Sequence, residues 1–217
     1  FNPKMTYEEL YREGKIKLEK AGIESPAFDA ICLFHKVFGL DRQGLILHGK
    51  EDVRNGADWF GTLIDRRASR EPLQYLLGKW EFMEFSLAVG EGVLIPREET
   101  ELLVYSAAEL LPKDRKLSVL DLCAGTGAVG IGLSSLRPLS RALCVEWEEK
   151  AMKYLMRNIA EYGCDRVQAV RGDVLSRPLF SGRFDAILSN PPYLTVQEME
   201  SLQPEVQREP GTALEGG

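Results

Sequence analysis

Short apolar runs that alternate with helix-forming segments constrain the fold more than any other feature of this sequence. The runs with the length and composition of strands are Leu117–Leu122, Arg141–Val145, Val167–Val170 and Phe184–Leu188. Segments with helical spacing, Gly127–Leu136 and Glu148–Tyr162, lie between them. This alternation predicts an α/β fold with a doubly wound, Rossmann-like parallel sheet, which binds ligands beyond the carboxyl ends of its strands.

The first part of the chain predicts a small all-α bundle. An amphipathic helix is expected over 7–20, starting at the capping box of Thr6 and Glu9. A second is expected over 26–38, between Ser25-Pro26 and Gly39. A third is expected over 52–69, with Trp59, Phe60, Leu63 and Ile64 facing inward. Broken alternation with interspersed glycines then predicts a β-hairpin, and helical spacing resumes over 100–111. We therefore expect a helical domain over 1–75, a hairpin connector over 76–95 and an α/β domain over 96–217.

Charge and composition limit the classes of function. The 217 residues carry a net charge of −6, and residues 1–75 hold twelve basic and twelve acidic side chains. Nucleic-acid enzymes usually present a basic face, so the charge disfavours direct binding of DNA or RNA. No run approaches the roughly 18 apolar residues of a membrane span. The four cysteines are too scattered for a secreted disulfide framework, and we expect a cytoplasmic protein with reduced thiols.

The turn after the first predicted strand is rich in glycine and reads Asp121-Leu-Cys-Ala-Gly125-Thr-Gly127-Ala-Val-Gly130. Glycines at a strand-to-helix turn let the backbone approach a ligand closely. The loop also matches the G-x-G-x-x-G pattern of dinucleotide-binding sites, which alone is a weak signal. Asp121 favours a different cofactor, because its carboxylate would repel a pyrophosphate but suit the ammonium and sulfonium groups of S-adenosylmethionine. A tight turn without a ligand is the remaining alternative.

Acidic residues follow the next two predicted strands. Glu146 is placed to accept hydrogen bonds from both ribose hydroxyls, a role that dinucleotides and S-adenosylmethionine share. Asp173 is placed to accept from an adenine amino group, although an acidic residue here is also typical of an ordinary polar strand end.

The segment Asn190-Pro191-Pro192-Tyr193 follows the fourth predicted strand and forms a rigid turn. The side-chain oxygen of Asn190 and the carbonyl of Pro191 are suited to accept both N–H bonds of a planar amino group. That arrangement would aim the nitrogen lone pair at a methyl donor, and Tyr193 would pack against the planar group. By itself, an Asn-Pro turn is more often a chain reversal. The position of Asn190–Tyr193, after the fourth strand of a predicted α/β sheet, favours the catalytic interpretation.

Five motifs together resemble the release factor glutamine methyltransferases of the HemK type, in the order that family has them. They are Arg70–Gly78, Val93–Glu101 (Val-Leu-Ile-Pro-Arg-Glu-Glu-Thr-Glu), Asp121–Gly130, Asn190–Tyr193 and Glu209-Pro210. The Val93–Glu101 segment is the most diagnostic, because generic methyltransferases lack it. The resemblance covers essentially the whole chain. It implies a class I methyltransferase sheet that methylates the glutamine side-chain amide in the Gly-Gly-Gln loop of peptide chain release factors.

The resemblance and the residue patterns described above together lead us to expect particular site residues, a cofactor and partners. Catalysis is expected at Asn190, Pro191, Pro192 and Tyr193. Contacts to S-adenosyl-L-methionine are expected at Asp121, Cys123, Ala124, Gly125, Thr126, Gly127, Glu146, Asp173, Val174 and Asn190. The helical domain would grip the release factor, and we expect a monomer. The alternatives are an amino-group methyltransferase of DNA or RNA and a cofactor-binding module without activity.

The chain departs from the family pattern in two respects. Cys123 stands where many relatives have glycine, so the backbone there would approach the cofactor less freely. The family sheet has seven strands, whereas four are found here. We therefore expect a sheet that stops after its fourth strand and a chain of low activity.

Overall fold

The computed structural model describes residues 5–176 and 182–217. Two compact units are present, one ending at Leu77 and one beginning at Gly78. Cys32, Cys123 and Cys144 are free thiols, while the side chain of Cys164 lies outside the described part of the chain. Every helix within the described ranges is too short or too polar to cross a membrane.

The first unit consists of helices, as predicted. They are α1 (Tyr7–Lys20), α2 (Pro26–Phe38), α3 (Arg42–His48), α4 (Ala57–Ala68) and α5 (Leu73–Leu77). The predicted capping box is confirmed, since the backbone N–H of Glu9 donates to the Thr6 hydroxyl and the backbone N–H of Thr6 donates to the Glu9 carboxylate. Phe34 and Phe60 are fully buried and meet edge to face, with ring centroids 5.3 Å apart.

Two details of the first unit differ from the prediction. The third predicted helix begins at Ala57 rather than at residue 52, after a left-handed Gly56. Trp59 is 49% exposed, so its predicted inward position is wrong, whereas Phe60, Leu63 and Ile64 are buried. At about 100° per residue, the buried side chains of Phe60, Leu63 and Ile64 form one stripe along this helix, and Trp59 falls at the margin of that stripe. The short helices α3 and α5 had no strong sequence signal.

The second unit begins with an antiparallel hairpin, as predicted, made of β1 (Lys79–Phe82) and β2 (Phe85–Ala88). Helices and strands then alternate, in the order α6 (Glu99–Leu110), β3 (Leu117–Leu122), α7 (Ala128–Leu136), β4 (Ser140–Glu146), α8 (Glu149–Asn158), β5 (Val167–Arg171), β6 (Ala186–Ser189) and α9 (Val196–Glu200). The helix predicted over 148–162 is α-helical only to Asn158 and ends in a π turn, Ile159–Gly163. Strand β6 begins at Ala186 rather than Phe184, because the Asp185 carboxylate accepts the backbone N–H of Ser118.

The main sheet is parallel, and its strands lie in the order β5-β4-β3-β6. The chain moves outward from β3 through β4 to β5, and then returns to place β6 on the other side of β3. The reversal puts a topological switch point between β3 and β6, where doubly wound sheets bind their ligands. The loops that leave these two strands are the glycine loop and the Asn190–Tyr193 turn.

Candidate active site

A cavity of about 510 Å³ opens at the carboxyl ends of the sheet strands. The predicted site residues that line it are Asp121, Cys123, Ala124, Gly125, Thr126, Glu146, Asp173, Val174, Asn190, Pro191 and Pro192. Gly127 and Tyr193 are not among its lining residues. One cavity therefore brings together the turns that follow β3, β4, β5 and β6.

The glycine loop reaches helix α7 through three residues with left-handed backbone. Cys123, Gly125 and Gly127 have φ values of 58°, 54° and 84°. Gly127 precedes the first residue of α7, and a Cβ there would lie 2.6 Å from a methyl group of Leu155. Gly127 thus serves close packing of the loop against α8. Cys123 adopts a conformation that costs an L-residue about 1 kcal/mol or more.

Asp121 lies beneath the glycine loop and is 1% exposed. Its Oδ2 accepts the backbone N–H of Gly130 at 2.9 Å, and the Cys144 thiol points at the same oxygen. Burial raises the pKa of Asp121 to about 7, although the hydrogen bond from Gly130 opposes the shift. A buried carboxyl with this pKa changes its charge near neutral pH, so it is sensitive to a cation placed in the cavity.

Glu146, at the end of β4, is held by three backbone N–H groups. Oε2 accepts from Gly125 at 2.8 Å, and Oε1 accepts from Trp147 at 2.8 Å and from Glu148 at 2.9 Å. A carboxylate offers about four acceptor positions, so roughly one remains for a ligand hydroxyl, whereas the sequence predicted bonds to two hydroxyls. The same side chain also ties the glycine loop to the start of α8.

Asn158 holds the glycine loop through a buried side-chain amide, and no sequence pattern marked it as a site residue. The side chain is fully buried. Its Nδ2 donates to the carbonyls of Thr126, at 2.9 Å, and Ala88, at 3.1 Å, while Oδ1 accepts the Ala88 N–H at 2.7 Å. Asn158 therefore links the loop, the hairpin and α8 through one satisfied amide. A polar residue at an inward helical position is the only signal that sequence offered.

The turn after β5 supplies a more open wall. Asp173 is exposed, and its Oδ1 accepts the backbone N–H of Leu175 at 2.9 Å. Val174 and Leu175 are 38% and 89% exposed, and both line the cavity. An exposed apolar wall of this kind suits a flat, partly apolar ligand group.

The turn after β6 places Asn190 half-buried at the cavity. Its Nδ2 lies 3.3 Å from the hydroxyl oxygen of Thr100, on α6. Tyr193 is 75% exposed, and its backbone N–H donates to the Leu214 carbonyl at 3.1 Å. The Tyr193 ring therefore contributes to the outer rim of the turn and not to the cavity.

The buried carboxylate of Glu209 holds the part of the cavity wall that includes Arg97. Glu209 is 6% exposed, and its Oε2 accepts the backbone N–H of Ile95 at 2.8 Å. Its Oε1 pairs with the Arg97 guanidinium. Both Arg97 and the following Pro210 line the cavity. The sequence marked these residues only as parts of motifs, without a role.

Among the residues that the structure describes, no group of three or more His, Cys, Asp or Glu side chains is arranged to hold a metal ion.

Comparisons with known proteins match both units. Residues 9–78 match the family model of the PrmC N-terminal domain, and residues 99–210 match that of the methyltransferase small domain. A release factor glutamine methyltransferase from Deinococcus radiodurans is 36% identical over 98% of this chain and 76% of its own length. Proteins of the same name from Geobacter sulfurreducens and Mycolicibacterium smegmatis are 37% and 38% identical, each over 92% of this chain and 70% of the relative.

Proposed function

The chain belongs to the family of release factor glutamine methyltransferases, and we propose that it transfers a methyl group from S-adenosylmethionine to glutamine. The acceptor is the side-chain amide nitrogen in the Gly-Gly-Gln motif of peptide chain release factors. The observation that carries this proposal is the shared cavity, which is lined by both the glycine loop and the Asn190–Pro192 turn. Relatives of that name match nearly the full chain, which supports the same substrate.

The cavity residues fit S-adenosylmethionine by charge and shape. Asp121 provides a carboxyl whose ionised form a cation would stabilise. Glu146 keeps about one acceptor position for a ribose hydroxyl, while Val174 and Leu175 offer an apolar wall for the base. When bound, the cofactor supplies an electrophilic methyl group on a positively charged sulfur. We therefore assign Asp121, Cys123–Gly127, Glu146, Asp173, Val174 and Asn190 to its binding.

The Asn190–Pro192 turn would act by orienting the glutamine amide. An amide nitrogen is a poor nucleophile because its lone pair is delocalised into the carbonyl. The Oδ1 atom of Asn190 and the carbonyl of Pro191 accept the two N–H bonds, which aligns the nitrogen lone pair for transfer. Both hydrogen bonds strengthen as positive charge grows on the nitrogen, so they stabilise the transition state more than the ground state. The nitrogen becomes acidic as it is alkylated and would release one proton to water, so no strong base is required beforehand. The other product would be neutral S-adenosylhomocysteine, which keeps the electron pair of the broken S–C bond.

The proposal also assigns roles to the parts of the chain. The helical domain over 1–75 grips the release factor, the connector spans 76–95, and 96–217 carries catalysis. The equal numbers of basic and acidic side chains in residues 1–75 support a protein partner over DNA or RNA. We further propose a monomer that acts in the cytoplasm.

A transfer experiment with a defined acceptor tests this function. The full-length protein is incubated with labelled S-adenosylmethionine and a release factor, and the methyl group is located by peptide mass spectrometry. We expect one methyl group on the glutamine of Gly-Gly-Gln, and none on a factor in which alanine replaces that glutamine. Transfer to RNA or DNA instead, or cofactor binding without any transfer, would refute the proposal.

A further inference from the structure

The Val93–Glu101 segment is the most diagnostic motif of the sequence, yet cofactor binding and glutamine orientation leave most of it without a role. Val93 and Ile95 are buried, and the segment runs along the cavity into the first turn of α6. Its side chains and backbone contact two other parts of the cavity wall. One contact is made to Glu209 and the other to Asn190.

The contact with Asn190 bears directly on catalysis. A side-chain amide has an oxygen on one side and an NH2 group on the other, and a half-turn about its last bond exchanges them. Only the orientation with the oxygen toward the cavity can accept an N–H from a substrate. The Thr100 hydroxyl oxygen lies 3.3 Å from Nδ2 of Asn190 and accepts its N–H. This hydrogen bond engages the NH2 end of the amide and leaves the amide oxygen available to a substrate N–H.

Thr100 is itself held in place from two directions. Its backbone N–H donates to the Arg97 carbonyl at 3.0 Å, and Arg97 pairs with the buried Glu209. The neighbouring Glu101 accepts the backbone N–H of Met83, in the hairpin, at 2.6 Å. The first turn of α6 is therefore fixed relative to both the hairpin and the wall at Glu209. A hydroxyl on a fixed turn can hold the side chain that it contacts in one place.

The geometry points to Thr100 as a positioning residue, whose hydroxyl anchors the Asn190 side chain through Nδ2 and leaves the amide oxygen free for the glutamine substrate. This inference rests on the proposed function, because it gives the orientation a purpose in glutamine methylation. Thr100 contacts the catalytic turn and acts on the reaction through Asn190.

Three variants of the full-length protein test this role. Thr100→Val keeps the shape of the side chain and removes the hydroxyl, Thr100→Ser keeps the hydroxyl, and Ser106→Val places a valine at an exposed position of the same helix. Thr100→Val loses the hydrogen bond to Asn190, so its kcat should be about tenfold lower than that of the wild type. The KM for the release factor and the affinity for S-adenosylmethionine should stay within about twofold, because the substitution leaves ground-state binding of both ligands unchanged. Thr100→Ser should restore most of kcat, and Ser106→Val should match the wild type.

Three results would overturn the inference. Thr100→Val could retain the wild-type kcat, which would show that the hydroxyl is not needed. Its kcat, cofactor affinity and unfolding midpoint could instead fall together without rescue by Thr100→Ser, which would mark Thr100 as a structural residue only. Absence of transfer by the wild type itself would refute the proposed function together with this inference. Wild-type transfer in the same assay thus distinguishes the two failures.

Discussion

The part of the cavity that we assign to the cofactor, formed by Asp121–Gly130 and Glu146, is mostly buried. The part that we assign to the substrate, formed by Asn190–Pro192, is half-buried to exposed. On the cofactor side, Glu146 accepts three backbone N–H groups, and Asn158 makes three hydrogen bonds behind the loop. On the substrate side, a single side-chain contact, with Thr100, is observed for Asn190 within the described residues.

This contrast indicates how the two halves of the reaction respond to change. A loop held by many internal bonds is costly to disturb, so damage there should appear first in folding and in cofactor affinity. A turn held by few bonds can lose a side chain with little effect on stability, so damage there should appear in the rate of transfer. Substitutions on each side should therefore change different measured quantities.

The largest effect is expected at Asn190. Asn190→Ala removes an acceptor that strengthens in the transition state, so kcat should fall by about 10² to 10³. Cofactor affinity should stay within about tenfold, and the free energy of unfolding should change by less than about 0.5 kcal/mol. Transfer kinetics, calorimetry and urea unfolding measure the three quantities. Gln197→Ala, which removes an exposed amide on α9, serves as the control. An equal loss of rate and affinity would make Asn190 structural and remove the contrast.

Asn158 should show the opposite pattern. Asn158→Ala leaves the Ala88 N–H and two carbonyls without their buried partner, which should lower the free energy of unfolding by about 3 kcal/mol. Urea unfolding with an unchanged m-value measures this loss. A loss below about 1 kcal/mol would mean that the glycine loop does not depend on the hydrogen bonds of Asn158.

Asp121 should give cofactor binding a pH dependence. Burial raises the pKa of Asp121 to about 7, so the carboxyl is largely protonated at pH 6 in the free protein. A cation in the cavity favours the ionised form, so binding lowers this pKa and releases a proton. Affinity should therefore rise with pH, by up to about tenfold per unit below 7, and level off above it.

Calorimetry at pH 6 and pH 8 on the wild type and Asp121→Asn isolates this contribution. Titration of the cofactor's own amino group is common to both proteins and cancels in the comparison. The variant should bind more weakly at pH 8 and lose the additional pH dependence. Identical pH profiles would show that Asp121 does not sense the cofactor.

The smallest effect is expected at Cys123. The left-handed backbone of Cys123 costs an L-residue about 1 to 2 kcal/mol, and glycine removes that cost. Glycine also gives the unfolded chain more conformational freedom, which lowers the free energy of unfolding by about 0.5 to 1 kcal/mol. Cys123→Gly should therefore raise the free energy of unfolding by roughly 0.5 kcal/mol. Cys123→Ala removes the thiol and keeps the Cβ, so it should give no such gain. Equal effects of the two substitutions would exclude backbone strain as the cause.

Features with local causes were predicted well from the sequence. The bounds of β3 agree at both ends, the Thr6–Glu9 capping box is present, and the hairpin lies within the predicted connector. Each depends on residues that are neighbours along the chain, through period, capping or turn chemistry. The order of strands also placed the glycine loop and the Asn190 turn at one edge of the sheet.

Features that depend on distant partners were not predicted. Asn158 meets Ala88 across 70 residues, Thr100 meets Asn190 across 90, and Glu209 meets Ile95 across 114. No periodicity or spacing carries information over such separations. The exposure of Tyr193 and the three backbone donors to Glu146 likewise arise from loop geometry, which tertiary packing decides.

Titration with S-adenosylhomocysteine, the reaction's cofactor product, tests most directly whether the two sides meet in one cavity. Amide NMR spectra of the full-length protein report the backbone N–H groups of Gly125, Trp147 and Glu148, which all donate to Glu146, and the side-chain NH2 of Asn190. We predict that all four signals shift together with one dissociation constant, while those of α9 stay in place. Saturable binding that leaves these signals unchanged, or that shifts only those of α9, would contradict the account.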